Sequence, residues 1–220
     1  MSTMTEISSL PEEVLLHLIS FLPTSSLVSV WRTSRQWRDL SSSKLAASIQ
    51  SSWADTSWTG IYYPSVAEVR CAAALAATGQ LTSVLNMKLR NLELPSIEDM
   101  PSLARVIISG VGLWNVTGDI GPLVSSLTCT WLQISNMELD QAATSSLVRA
   151  LQHGVEKLRL WRGVRLHIQT LLEWGGRGRC GRVECRGDTR DTYKEELMTW
   201  AARVNWGVTE ESYWIEIMRK

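Results

Sequence analysis

The sequence predicts a mixed α/β chain: a small N-terminal unit of three helices, then a short curved solenoid in which strands and helices alternate. Three observations carry this. Apolar residues between Leu10 and Leu40 recur at helical spacing and are punctuated by Pro11 and Pro23. From Met87 onward, pairs of apolar residues at i and i+2 recur, each followed by a second apolar pair. At 220 residues, 45% hydrophobic and 20% charged, the chain is long and apolar enough to bury a core. The expected divisions are residues 8–42, 43–82 and 83–220.

Lys plus Arg balance Asp plus Glu at 22 each, so no global field draws the chain to nucleic acid or to an anionic membrane. The opening "MSTMTEISSL" lacks the basic start and apolar run of a secretory signal, and no segment reaches the roughly 18 apolar residues of a membrane span. The expectation is a soluble intracellular protein, cytoplasmic, nuclear or both. Cys71, Cys129, Cys180 and Cys185 are too scattered for a disulfide framework and read as reduced structural thiols. Cys180 and Cys185, with no second pair or nearby histidine, give only a weak metal signal, so no metal or cofactor is expected.

In the first helix Val14, Leu15, Leu18, Ile19 and Leu22 are expected on one face. Pro11 sets the start, since proline loses no useful N–H at the first helical position and pushes Leu10 out of the helical region. Pro23 ends the helix, and "TSS" offers hydroxyl caps to a second helix carrying Leu27, Val28, Val30 and Trp31. A third short segment holds Trp37 and Leu40. So small a unit cannot bury all these side chains internally, so the excess must meet a partner or the rest of the chain.

Here a resemblance enters. "LPEEVLLHLISFLP" followed by "SSLVSVWRTSRQWRDL" resembles an F-box: Leu-Pro, an acidic pair, an apolar helix, a Leu-containing second helix and a terminal aromatic flanked by basic residues. It covers Leu10 to about Ser42. The resemblance implies binding to the Skp adaptor, and through it a cullin, in cullin-RING ubiquitin ligases. Leu10, Pro11, Leu15, Leu18, Leu22, Leu27, Val30 and Trp37 would make or support that contact. Thr33 and Ser34 depart from the family pattern of an apolar residue and a cysteine, which would weaken the contact if those positions are buried.

From Ser41 to Gln80 a serine-rich stretch precedes the alanine-rich "PSVAEVRCAAALAATGQL", a helix closed by Gly79. Trp53 and Trp58 are too large for a free linker, so this connector is expected to pack on both neighbours and hold them rigidly.

The second half shows four related stretches: "MKLRNLEL" from Met87, "VIISGVGL" from Val106, "LQISNMEL" from Leu132 and "LRLWRGVRL" from Leu158, with a shorter "VEC" from Val183. Their starts lie 19, 26, 26 and 25 residues apart, and the pattern resembles leucine-rich repeats. A compact α/β domain around a parallel sheet fits the same alternation. Between strands, "DQAATSSLVRALQHG" reads as a helix capped by Asp140 and Gly154. Near the C-terminus Tyr193, Leu197, Trp200, Ala201 and Val204 share a helical face, and "YWIEIM" reads as a last strand, together capping the stack.

Residues flanking each apolar pair would point onto the concave face: Asn86, Lys88 and Arg90; Arg105, Ile107 and Ser109; Trp131, Gln133 and Ser135; Lys157, Arg159 and Trp161; Arg182, Glu184 and Arg186. Seven of these are basic and one acidic. With Trp131 and Trp161 among them, the face suits a substrate protein that is acidic or phosphorylated, since Arg binds carboxylate and phosphate in bidentate fashion. Lys88, Arg90, Arg105, Trp131, Lys157, Arg159, Trp161, Arg182 and Arg186 are the candidate contacts. "GGRGRCGRVECRG" reads as a mobile basic loop beside that face rather than an RNA-binding tract.

No enzyme is expected. His17, His153 and His167 have no matched nucleophile or metal spacing, no glycine-rich phosphate loop follows a strand, and Glu12–Glu13 and Glu210–Glu211 are sequence neighbours that point apart. The readings compatible with the sequence are a non-catalytic substrate receptor of a ubiquitin ligase and a repeat scaffold or sensor with no ubiquitin role.

Overall fold

The computed structural model describes residues 10–54 and 63–220. Trp58, one of the two connector tryptophans, lies outside these residues.

Three helices open the chain: α1 (Glu12–Ser20), α2 (Thr24–Thr33) and α3 (Arg35–Ser52). Pro11 stands at the N-cap of α1 in an extended conformation, as its fixed φ favours. Ile19 joins Leu27, Val28, Leu45, Ala46 and Ile49 in the buried core. Two local expectations are corrected. The hydroxyls of "TSS" do not cap α2, whose N-cap is Pro23; Thr24 instead turns inward, its hydroxyl 2.5 Å from that of Ser48 on α3. The third helix is not short: it runs through residue 42 without interruption, so the expected division there coincides with no break in structure.

α3 ends at Trp53, which is buried, and α4 (Val66–Ala77) packs its Val69, Cys71, Ala72, Ala73 and Leu75 into the same core. Ser65 caps α4, accepting from the Glu68 N–H at 3.3 Å.

After α4 the chain alternates: β1 (Val84–Leu94), α5 (Met100–Val106), β2 (Ile107–Gly118), α6 (Gly121–Ser125), β3 (Trp131–Ser135), β4 (Glu138–Leu139), α7 (Gln141–His153), β5 (Lys157–Trp161), β6 (Arg165–Leu166), α8 (Ile168–Glu173), β7 (Arg182–Arg186), α9 (Asp188–Arg203), β8 (Trp206–Glu211) and β9 (Trp214–Arg219). The seven-stranded sheet has the order β1-β2-β3-β5-β7-β9-β8, and β4 pairs with β6 in a small second sheet. Pairing is parallel from β1 to β7 and antiparallel from β7 through β9 to β8. Each parallel strand lies beside its predecessor, so the strand order never reverses and there is no topological switch point of the doubly wound kind.

The register shows which residues share a row. Met87, Val111, Leu132, Leu158, Val183 and Ile217 are aligned across the sheet, and Leu89, Leu113, Ile134, Leu160, Cys185 and Ile215 form the next such row. All twelve are buried at 2% exposure or less, which identifies the core face against which the helices pack. Alternation along each strand turns the intervening residues to the opposite face.

This register corrects the second repeat. Its aligned apolar pair is Val111 and Leu113, not Val106 and Ile108, so β2 begins one residue after α5 and its first residues precede the shared rows. Arg105 therefore lies on α5, and Ile107 is buried at 1% exposure; neither belongs to the expected row of face residues. Asp140 does cap α7, accepting from Ala143 N–H at 2.8 Å, and Tyr193, Leu197, Trp200 and Ala201 form the buried side of α9. The last strand, β9, arrives with an unforeseen partner, β8.

The segment before β7 is also corrected from a mobile loop to a pinned one. The guanidinium of Arg219 donates to three of its carbonyls, Gly176 at 3.0 Å, Gly178 at 2.8 Å and Cys180 at 2.8 Å. Gly178 takes a φ of +102° with Gln152 carbonyl oxygen only 2.3 Å from where a side chain would start, so only glycine fits there. All four cysteines are free and buried. Burial pushes the thiols of Cys71 and Cys180 up to about 11 and those of Cys129 and Cys185 up to about 12.

Candidate functional site

Two surfaces combine residue types that bind other molecules. The first is α1. Its sequence carries two apolar stripes: Leu15 and Ile19 point inward at 1% and 2% exposure, while Val14, Leu18 and Phe21 stand outside at 43%, 47% and 73%. The outer three fall at i, i+4 and i+7, a continuous ridge on a helix surface. Phe21 is braced by His17, whose ring meets it edge-on with centroids 4.9 Å apart.

The adaptor-facing residues expected from the sequence divide accordingly. Pro11 and Leu18 are exposed, Leu10, Leu22, Val30 and Trp37 are half-buried, and Leu15 and Leu27 are interior. The last two are placed to support the surface from beneath rather than to touch a partner. Val14 and Phe21 were missed as outward residues; a helix apolar on both sides is the signal that would have found them. A hollow of about 340 Å³ between the start of α1 and α3 is lined by Leu10, Glu12 and Leu15 and by Gln36, Asp39 and Leu40 of α3.

Thr33 and Ser34, the departures from the family pattern, are both exposed, so no polar group is buried there. Thr33 donates to Val30 carbonyl oxygen at 2.7 Å, and Ser34 caps α3 by accepting from Trp37 N–H at 3.3 Å. The cap satisfies one of the orphan donors at the start of α3.

The second surface is the sheet face opposite the core rows. Three rows of residues cross it. One aligns Asn86, Gly110, Trp131, Lys157, Arg182 and Met218; the next aligns Lys88, Gly112, Gln133, Arg159, Glu184 and Glu216; the last aligns Arg90, Trp114, Ser135 and Trp161, with Arg186 and Trp214 paired at the far end of β7 and β9. Eight of the nine expected contact residues thus fall on one face, Arg105 being the exception. Gly110 lets Trp131 fold over it: the indole lies 2.0 Å from where a side chain would start.

The charge on this face differs from the expectation. β9 adds Glu216, which with Glu184 gathers most of the cations: Lys157 lies 2.7 Å from Glu184 and 3.7 Å from Glu216, Arg159 is 3.8 Å from Glu184, Arg182 pairs with Glu216, and Arg186 pairs with Glu184. Burial works to raise the Glu184 carboxyl, but the hydrogen bonds and charges of Lys157 and Arg186 outweigh it and hold the group below the usual carboxylate range. Burial lowers Arg159. The strongly basic strip read from the sequence is in fact a mixed network built around two buried carboxylates.

Arginines stacked on tryptophans stand at the strand C-terminal ends. Arg90 stacks on Trp114 at 4.7 Å, and Arg186 stacks on Trp161 at 4.9 Å. Between those tryptophans a cavity of about 360 Å³ is lined by Trp114, Ser135, Asn136, Trp161, Arg162, Arg186, Gly187 and Tyr213. No carboxylate lines it. Among the described residues, no group of three or more His, Cys, Asp or Glu side chains could hold a metal ion, and no helix is long and apolar enough to cross a membrane.

No curated protein matches the chain. The comparison with known families bears on the helices that carry the α1 ridge: residues 7–47 match the F-box-like family, so the chain contains an F-box-like domain, followed by a mixed α/β unit whose sheet is mostly parallel.

Proposed function

We propose that the chain is a substrate-recognition subunit of a Skp–cullin–F-box ubiquitin ligase. The F-box-like helices dock on the Skp adaptor, and the sheet unit holds the protein to be ubiquitinated. The observation that carries the reading is the exposed ridge of Val14, Leu18 and Phe21 on the F-box-like domain. Large apolar side chains clustered on one short helix mark an interface, because contiguous apolar surface is costly to leave in water. The chain has no catalytic part in this proposal; ubiquitin transfer belongs to other subunits, in the cytoplasm, the nucleus or both.

The sheet unit is read as a short leucine-rich-repeat array. Supporting this, the apolar rows stay in register over five parallel strands, and Asn91 within β1, Asn115 within β2 and Asn136 just after β3 all take positive φ. The Asn115 amide donates to Asn91 Oδ1 at 3.0 Å, linking the neighbouring strands. Repeat arrays present the faces of their strands as binding surfaces.

Co-purification with the Skp adaptor tests the proposal. Wild type is expected to bind, and the Leu10→Ala, Pro11→Ala double variant to lose binding while staying folded. A folded wild-type chain that does not retain the adaptor overturns the receptor reading and leaves a scaffold or sensor without a ubiquitin role.

A further inference from the structure

We infer that the chain pairs with a second copy of itself through the outer edge of β8, joining two seven-stranded sheets edge to edge. The inference goes beyond the proposed ubiquitin-ligase role and stands on the edge itself.

The two edges of the sheet differ. At β1 the register shifts between Val84 and Asn86, and the Asn86 N–H is taken by Trp53 carbonyl oxygen at 3.3 Å. At the other edge β8 pairs with β9 from Trp206 to Glu211 without a bulge and contains no proline. Its backbone makes no backbone hydrogen bond to a described residue beyond β9. An edge strand turns alternate N–H and C=O groups away from its sheet, so a regular and uncovered one is a template for another strand.

Side chains at this edge do little to block pairing. Charged residues commonly protect an edge strand, but Glu210 is held by its own chain, paired with both Arg190 and Lys194 of α9. The helical row of those two cations continues at the next i+4 position to Met198, which is 37% exposed. Val208, in the middle of β8, is 38% exposed. The edge thus offers apolar side chains and a carboxylate whose charge is already met.

The remaining charges select a second copy as the occupant. Glu211 accepts from the Trp214 indole at 2.9 Å, and Lys220 donates to Asn205 Oδ1 at 3.2 Å, but neither makes an ion pair with a described residue. Lys220 lies at the start of β8, its stem 3.9 Å from where a Gly207 side chain would begin. Alternation puts Glu211 on the same face as Gly207, at the strand's other end. One positive and one negative charge therefore mark opposite ends of one face. Antiparallel pairing about a two-fold axis through Val208, perpendicular to the sheet, sets Val208 against Val208 and Gly207 against Thr209 of the second copy. The same axis brings each Lys220 to Glu211 of the second copy, twice over, and leaves both open sheet faces on one side.

Sedimentation velocity of the full chain at about 1 to 200 µM tests the inference. The expected result is a reversible shift from monomer to dimer that added salt weakens, because the Lys220 and Glu211 pairs are exposed. Val208→Glu opposes like charges at the axis and raises the dissociation constant at least about tenfold. Glu211→Lys and Lys220→Glu each weaken association about tenfold, and combining them restores it, since the exchanged charges meet again across the axis. All four proteins keep the wild-type melting temperature, as the substituted side chains are exposed. A chain that stays monomeric throughout the range overturns the inference. So does a dimer that survives Val208→Glu, or a double exchange that associates no better than the single variants. Association lost in Leu18→Asp but kept in Val208→Glu would place the contact on α1 and overturn it equally.

Discussion

The indole of Trp53 donates a hydrogen bond to Glu68 Oε1 at 2.8 Å, and both residues are buried. The bond joins the C-cap of the last F-box-like helix to the first turn of α4, which packs in turn against β1 and α5. Gln50 strengthens the same junction, donating to Ser83 carbonyl oxygen at 3.1 Å just before β1. The receptor proposed above would have to hold its cargo at a fixed distance from the transferring enzyme, and a buried polar tie at this junction would stiffen it.

Replacing Trp53 with Phe keeps most of the apolar volume but removes the donor. Losing a partner of a buried carboxylate costs about 1–3 kcal/mol. The expected outcome is a lower melting temperature. A Trp53→Phe variant as stable as wild type shows that packing alone holds the junction.

The two stripes of α1 make opposite predictions. Leu18→Asp changes an exposed side chain, so stability should shift by no more than about 0.5 kcal/mol. Adaptor binding should fall at least tenfold, about the effect of losing one apolar anchor at an interface. Leu15→Ala instead hollows the core and should cost about 2–5 kcal/mol, with adaptor affinity retained in the fraction that remains folded. Thermal melts and adaptor titrations on the same proteins distinguish the stripes.

Much of this plan was legible in the sequence, and the errors have physical sources. Pro11 and Pro23 bounded α1 because proline acts on the backbone wherever it stands. The stripe facing the interior was harder to choose, because Val14 and Leu18 are as apolar as Leu15 and Ile19; burial depends on where α3 packs. The second strand was displaced because "VIISGVGL" offers more than one apolar pair at i and i+2. Asparagine settles it: Asn91, Asn115 and Asn136 each lie four positions after the first apolar residue of the aligned pair, and each takes the positive φ that Asn tolerates. The face charge was overestimated because Glu216 reaches it through an antiparallel pairing at long range, which no local spacing records.

Arg219 is expected to control the glycine-rich segment before β7. Its guanidinium serves the carbonyls of Gly176, Gly178 and Cys180 and stacks on Trp206 at 5.3 Å, beside the cluster of Trp174, Trp200 and Trp206. Arg219→Met keeps the apolar stem but leaves the carbonyls to water, and should cost about 1–3 kcal/mol. Hydrogen exchange should rise selectively over residues 175–181 while β1 and β2 stay protected. Uniform loss of protection across the sheet would instead make Arg219 a support of global stability.

The carboxylate network on the open sheet face predicts a pH dependence with a definite sign. Glu184 titrates lower in the folded chain than the roughly 4.3 of an unfolded glutamate, because Lys157 and Arg186 favour its charged form despite burial. Its contribution is therefore fully present above the unfolded value and is lost as pH falls through the folded one. Glu184→Gln should be less stable than wild type by about 1–3 kcal/mol at pH 7, since three cations lose their shared partner. As pH falls below the unfolded value and through the lowered folded one, the wild-type carboxyl protonates and the two proteins should converge. Melting curves from pH 7 to about pH 3 measure this, and a stability difference that stays constant across that range would show that Glu184 contributes by shape and hydrogen bonding rather than by charge.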